Sequence, residues 1–103
     1  PFVLCVDCKR WRQGWMGIAS RKAAEKQIQR TKILAEASLS MIEKIGISKW
    51  SQACFIPLVI SLFPSVSAFY KNSPIVPIIQ LRSFIQDMPA HIDEIEHYWV
   101  FIR

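Results

Sequence analysis

Residues 51–70 read SQACFIPLVISLFPSVSAFY, twenty consecutive residues without a charged side chain. A helix of this length rises about 30 Å, which matches the hydrocarbon thickness of a bilayer. Lys49 and Trp50 precede the stretch, and Tyr70 and Lys71 close it. Aromatic rings and lysines are the side chains that anchor a helix at a membrane interface. The stretch therefore predicts a transmembrane helix over residues 48–71, with these four residues setting its depth.

Two prolines within the stretch constrain that helix. Pro57 and Pro64 each lack a backbone N–H and crowd the carbonyl four residues earlier, which costs about 3 kcal/mol in an ordinary helix. In lipid such breaks are tolerated where neighbouring protein satisfies the freed backbone groups. The prolines therefore predict a kinked span that lies within a larger complex.

The same stretch has an alternative interpretation as strands. The apolar runs 58–63, 66–70 and 75–81 are short and separated by prolines, which is also typical of buried strands. Periodicity does not separate helix from strand in such runs. A small soluble α or α+β domain with its core in residues 53–85 is therefore the alternative fold.

The charges are distributed unevenly along the 103 residues, which carry a net charge of +5. Residues 1–50 hold ten Lys or Arg against four acids, and residues 71–103 hold three against four. If the middle segment spans a membrane, the basic half stays on the cytoplasmic or matrix side. We therefore expect an organellar inner membrane, such as that of the mitochondrion, with the N-terminal half on the matrix side.

The segments on either side of the apolar stretch differ in character. Residues 1–19 begin apolar, become basic, and predict a loop because glycines flank Trp15 and Met16. Residues 20–46 lack Pro and predict a basic amphipathic helix that ends at Gly46. Residues 72–103 predict short amphipathic helices in an acidic and aromatic tail. The fold expected from these patterns is mainly α.

Apolar side chains outside the span need a covering surface. An apolar stripe on the basic helix includes Ile28, Leu39 and Ile42, and the chain ends in a nearly all-apolar segment with Trp99 and Phe101. Exposed apolar patches of this kind usually mark an interface with a protein or a membrane. These five residues are therefore the predicted docking residues for other subunits of a membrane complex and for lipid.

Candidate catalytic and metal-binding residues are few. Cys5 and Cys8 have the spacing of two thiolate ligands from one loop, but a zinc site needs four ligands, so they are weak candidates for a metal site. His91 and His97 do not share a helix face. No nucleophile motif and no glycine-rich phosphate loop is present in the sequence. The sequence predicts neither an enzyme nor a cofactor.

The basic segment allows a nucleic-acid alternative. Lys9-Arg-Trp-Arg12 and Trp15 interleave cations with aromatic rings, a combination that binds phosphates and stacks on bases. Taken together, the patterns favour a non-catalytic accessory subunit of an energy-transducing membrane complex. The alternatives are a soluble helical protein-interaction domain and a basic subunit of a ribonucleoprotein that contacts RNA through residues 9–32.

Overall fold

The fold is a mixed five-stranded sheet with helices on both faces. The computed structural model of the chain describes residues 1–10, 18–62 and 68–102. Its elements in chain order are β1 (Phe2–Lys9), α1 (Ile18–Ala37), α2 (Ile42–Ile45), β2 (Gln52–Ser61), β3 (Ala68–Tyr70), β4 (Ser73–Pro77), α3 (Leu81–Asp87) and β5 (Tyr98–Phe101). Short 3-10 turns cover Ser38–Ser40, Ile78–Gln80 and Met88–Glu94. This α+β architecture corrects the mainly α fold expected above.

Strand β2 is the central strand of the sheet. Along one edge it pairs in parallel with β1, from Phe2 opposite Cys54 to Lys9 opposite Ser61. Along the other edge its first half pairs antiparallel with β5 and its end pairs in parallel with β4. The short β3 then pairs with β4. Pro57 falls between the β5 and β4 ladders, at a position where a strand tolerates a residue that cannot donate.

The apolar stretch is therefore a buried strand, and the predicted transmembrane helix is wrong. Residues 53–60 are all buried, because helices cover both faces of β2. A strand covered on both faces is apolar at consecutive positions, whereas a strand with one solvent face alternates. No helix within the described ranges combines the length and the apolar character needed to cross a bilayer. The predictions that depended on that helix are therefore wrong as well: the transmembrane assignment, the inner-membrane topology and the membrane location.

Each face of β2 packs against a different helical layer. Phe55 and Val59 face α1, where Val59 packs with Ala23 and Ala24. The small alanine side chains let the helix approach the sheet closely. On the opposite face, Ile56 packs against Met88, and further along the strand Leu58 packs near α3. The core consequently lies on both sides of one strand rather than along a single helix.

The predicted basic helix over residues 20–46 is present in part. Helix α1 ends at Ala37, and the Ser38 hydroxyl donates to the Ala35 carbonyl at 2.7 Å. Such hydroxyl-to-backbone bonds compete with the helical ladder, and the chain turns here through a 3-10 segment. Gly46 adopts a left-handed conformation (φ 84°) after α2, which confirms the predicted helix stop.

Residues 72–102 contain two strands in place of successive helices. Helix α3 matches one of the expected short amphipathic helices, whereas Ser73–Pro77 forms β4 and Tyr98–Phe101 forms β5 beside β2. Before α3, Lys71 and Asn72 both have positive φ and form the two-residue turn between β3 and β4. Positive φ at both positions matches the twist of a two-residue hairpin turn.

Candidate functional site

The three parallel strands end at one level, which defines a common edge of the sheet. Lys9, Ser61 and Pro77, the last residues of β1, β2 and β4, lie opposite one another in register. In open α/β sheets, ligands bind outside the carboxyl ends of parallel strands. We call the charged side chains of β1 and α1 at this end the carboxyl-edge site, and its members are Asp7, Lys9, Arg10, Lys22, Lys26 and Arg30.

Asp7 is the acidic centre of this site. Its Oδ2 atom lies 3.2 Å from Lys9 Nζ and 3.7 Å from Arg30 Nη1. Residues two apart in a strand share a face, so Asp7 and Lys9 both lie on the side of the sheet that α1 covers. Asp7 Oδ2 is itself buried. The two cations therefore neutralise the charge of a buried carboxylate oxygen.

Helix α1 is held against β1 by a buried amide. Gln27 is 4% exposed, and its Nε2 donates to the Cys5 carbonyl oxygen at 2.7 Å. Four residues along the helix, the buried Thr31 hydroxyl lies beside the Cys5 thiol. Burial raises the pKa of the Cys5 thiol, and the neighbouring Thr31 hydroxyl offsets only part of that rise. These contacts fix the position of α1 along β1, and with it the approach of Arg30 to Asp7.

A row of cations runs along the exposed side of α1. Lys22, Lys26 and Arg30 are exposed and four residues apart, a spacing that stacks side chains along one side of a helix. Arg30, the last of the three, reaches Asp7 on the β1 side. Lys9 and the exposed Arg10 add positive charge at the end of β1. The carboxyl-edge site thus carries five cations and one carboxylate, and two of the cations, Lys9 and Arg30, pair with that carboxylate.

Glu25, the acidic residue in the first half of α1, pairs with the β3–β4 hairpin instead of with the basic row. Glu25 Oε1 accepts a hydrogen bond from the Tyr70 hydroxyl at 2.9 Å and lies 3.4 Å from Lys71 Nζ. The Tyr70 hydrogen bond, followed by the Lys71 contacts, lowers the pKa of Glu25. Glu25 therefore stays ionised on the hairpin side of α1 and does not neutralise the basic flank.

The cysteines are separated by the geometry of the strands. Cys5 and Cys8 stand three apart in β1, so their side chains leave opposite faces of the sheet. Within the described ranges, no cluster of three or more His, Cys, Asp or Glu residues is placed to hold a metal ion. Cys54 is fully buried in β2, and burial raises its pKa to about 11.

These positions predict a clear order of thiol reactivity. Cys8 is exposed, Cys5 is half-buried and Cys54 is buried. Because a disulfide reagent attacks accessible thiolates, we expect Cys8 to react first, Cys5 more slowly and Cys54 only when the chain unfolds. Following the native chain and the Cys8→Ser variant with such a reagent measures this order. Rapid reaction of Cys54 in the Cys8→Ser variant would contradict the placement of β2.

The residues predicted to dock a partner are scattered over the fold. Leu39, Trp99 and Phe101 are exposed, and Trp99 lies beside Phe2 with ring centroids 6.5 Å apart. Ile28 is half-buried, and Ile42 packs onto the cluster around Phe55. The structure does not bring these residues together into one surface. Protein interaction through them stays a prediction.

The residues assigned to a membrane interface have other surroundings. Trp50 packs onto the cluster around Phe55, and Lys49 is exposed. Tyr70 and Lys71 both contact Glu25. Of the basic and aromatic segment, Trp11, Arg12 and Trp15 lie outside the described residues.

The central acidic residue of the site was missed at the level of sequence. Asp7 and Lys9 form an Asp-x-Lys pattern at the end of the apolar run 2–6. Reading that run as a strand would have placed both charges on one face, at a strand end. Gln27 and Arg30 had no comparable signal, because their roles depend on how α1 packs.

Comparison with protein-family models, with curated proteins and with solved structures finds no match to this chain. The function proposed below therefore rests on the arrangement of residues in the carboxyl-edge site.

Proposed function

We propose that this domain binds the phosphodiester backbone of a nucleic acid at the carboxyl-edge site. The observation that supports this most directly is the exposed basic row Lys22, Lys26 and Arg30, because Arg30 shares the Asp7 carboxylate with Lys9. Lysine and arginine side chains supply most of the sequence-independent affinity for nucleic acids, because they neutralise phosphates and release counterions. This proposal develops the ribonucleoprotein alternative and assigns the contact to defined residues.

The dimensions of the basic row suit several successive phosphates. At about 1.5 Å rise per residue, Lys22 and Arg30 are roughly 12 Å apart along the helix axis. Phosphates of one strand advance about 3.4 Å per nucleotide along a duplex, so the row faces roughly three or four nucleotides. Lys9 and Arg10 extend the contact beyond the end of the helix row. The contact is to the backbone, so we expect little sequence preference.

The proposal predicts a strong and salt-dependent affinity that charge removal weakens. The variant Lys22→Gln/Lys26→Gln/Arg30→Gln removes three phosphate contacts, which should lower the slope of log K against log salt by about 2 to 3. We expect at least a tenfold loss of affinity at physiological salt. Fluorescence anisotropy with a labelled single-stranded RNA and a labelled duplex DNA measures both quantities.

A matched variant separates the site from net charge. Lys32→Gln/Lys44→Gln/Lys49→Gln removes the same number of exposed cations outside the basic row. We expect it to retain most of the affinity. Equal loss in the two variants, or no measurable binding by the native chain, would refute the proposal.

A further inference from the structure

A concave surface lies on the face of the sheet opposite α1. It is a cavity of about 750 Å³, within the range of small-molecule sites. Its lining residues come from the β3–β4 hairpin, from α3 and from the turns before and after α3, and they include Phe69, Phe84, Asp87, Met88, His91 and Glu94. We call this the α3 cavity.

The α3 cavity is shaped by elements that are fixed to each other. Asp87 lies four residues after Ser83 and three after Phe84, a spacing that puts it on the same side of α3 as both of them. Met88 and Ile95 are buried and provide an apolar floor. Across the cavity, the Glu96 N–H donates to the Asn72 carbonyl at 2.8 Å, which ties the hairpin to the turn after α3. The cavity walls therefore do not depend on a ligand for their position.

The charge of the α3 cavity is opposite to that of the carboxyl-edge site. Asp87 and Glu94 contribute carboxylates to its rim, and His91 Nδ1 lies 3.5 Å from Glu94 Oε2. None of the described residues that line it is a lysine or an arginine. The nearest hairpin cation, Lys71, points its ammonium to Glu25 on the α1 side. Two carboxylates consequently face the cavity without a lysine or arginine among its lining residues.

Aromatic rings stand beside these carboxylates. Phe69 is 58% exposed although it is a large apolar side chain, and Phe84 is half-buried on the opposite wall. The faces of aromatic rings attract cations within about 6 Å of the ring centroid. Carboxylates on the rim and rings on the walls are complementary to a positively charged group on an apolar body.

We infer that the α3 cavity binds an organic cation, an ammonium or guanidinium group carried on an apolar or aromatic body. The cation pairs with Asp87 and Glu94, and its apolar part contacts Phe69, Phe84 and the floor. A free amine and an arginine side chain of a partner peptide share this chemistry. The site is separate from the carboxyl-edge site, so neither proposal depends on the other.

Binding of a matched pair of probes tests this inference. Phenethylammonium and the neutral 2-phenylethanol have the same apolar body and differ in charge, and NMR shift titration of the native chain compares them. We expect the ammonium to bind at least tenfold more tightly, with shifts centred on Phe84 and Asp87. The variant Asp87→Asn/Glu94→Gln should remove that preference, while the control Glu43→Gln/Asp93→Asn keeps it. All four acids are exposed, so the variants should fold.

A third probe identifies the source of the cation. The peptide acetyl-Leu-Arg-Leu-amide, titrated in the same way, presents a guanidinium as a protein partner would. Tighter binding of the peptide assigns the cavity to a partner side chain, and tighter binding of phenethylammonium assigns it to a small molecule. Equal binding of the ammonium and the alcohol, or equal loss in the two acid variants, would overturn the inference.

Discussion

The variant Phe55→Ala is expected to lower the free energy of unfolding by about 3–5 kcal/mol, the usual cost of deleting a fully buried phenyl ring. Phe55 is completely buried on the α1 face of β2, where Ala35, Ile47 and Ala53 belong to the same cluster. Neighbours on a central strand and a helix cannot collapse far into the space that the ring leaves, so most of the cavity cost should persist.

Phe101 provides the matched control for this deletion. It lies in β5 on the same sheet but is 70% exposed. Phe101→Ala should change the free energy of unfolding by roughly 0.5 kcal/mol or less, as exposed positions usually do. Urea unfolding followed by circular dichroism measures both variants. Similar losses for the two would mean that Phe55 does not lie in the core.

Leu58→Lys should be the more severe change, because it places an ammonium in the middle of the sheet. Leu58 is fully buried on the α3 face and packs with Ile60 and Val76. An unpaired buried charge costs several kcal/mol, a large part of the stability of a small domain. We expect a chain that is unfolded, or nearly so, at neutral pH.

The pH dependence of that variant identifies charge burial as the cause. Burial favours the neutral amine and lowers the pKa of a lysine in the folded state. The penalty is therefore present at neutral pH and disappears as pH rises toward about 10.4, the ordinary lysine value. The control Ile79→Lys, at a position 71% exposed, should be tolerated at every pH. A folded Leu58→Lys variant at neutral pH would contradict the burial of β2.

The sequence patterns favoured a mainly α fold with a transmembrane helix, which is wrong, and allowed a small α+β domain as the alternative, which is the fold observed. Residues 51–70 were treated as one element, whereas β2 ends at Ser61. A strand covered on both faces loses the alternation that identifies strands, and over ten residues its hydropathy resembles half of a membrane helix. Pro57 pointed against a helix, and β2 accommodates it because it falls in the gap between the β5 and β4 ladders. Those pairings are set by distant residues.

Local signals were more reliable where one residue decides the backbone. Gly46 was expected to end a helix, and it does so with a left-handed conformation. The apolar C-terminal segment was expected to need a covering surface. Part of it is covered within the fold, because Val100 pairs with Ala53 and packs against the cluster around Phe55. The spacing of Trp99 and its neighbours predicted a helix, but Tyr98–Phe101 form a strand instead. Pairing with β2 satisfies the backbone hydrogen-bonding groups of these four residues.

The carboxyl-edge site depended on contacts that sequence does not reveal. Arg30 meets Asp7 across twenty-three residues of chain, because α1 packs back along β1. The buried hydrogen bond from Gln27 to Cys5 fixes that packing. The sequence placed basic residues in 9–32 but did not indicate that two of them, Lys9 and Arg30, meet at one carboxylate. Convergence of this kind is a property of the crossover from β1 through α1 to β2.

Amide hydrogen exchange across residues 53–60, measured by NMR in detergent-free buffer, tests the central strand most directly. We expect extended-strand chemical shifts over this segment and the slowest exchange in the chain at Cys54, Phe55, Val59 and Ile60, because β2 is paired on both edges at these positions and covered on both faces. Helical chemical shifts over this segment, or fast exchange comparable to that of exposed loops, would contradict this placement of β2.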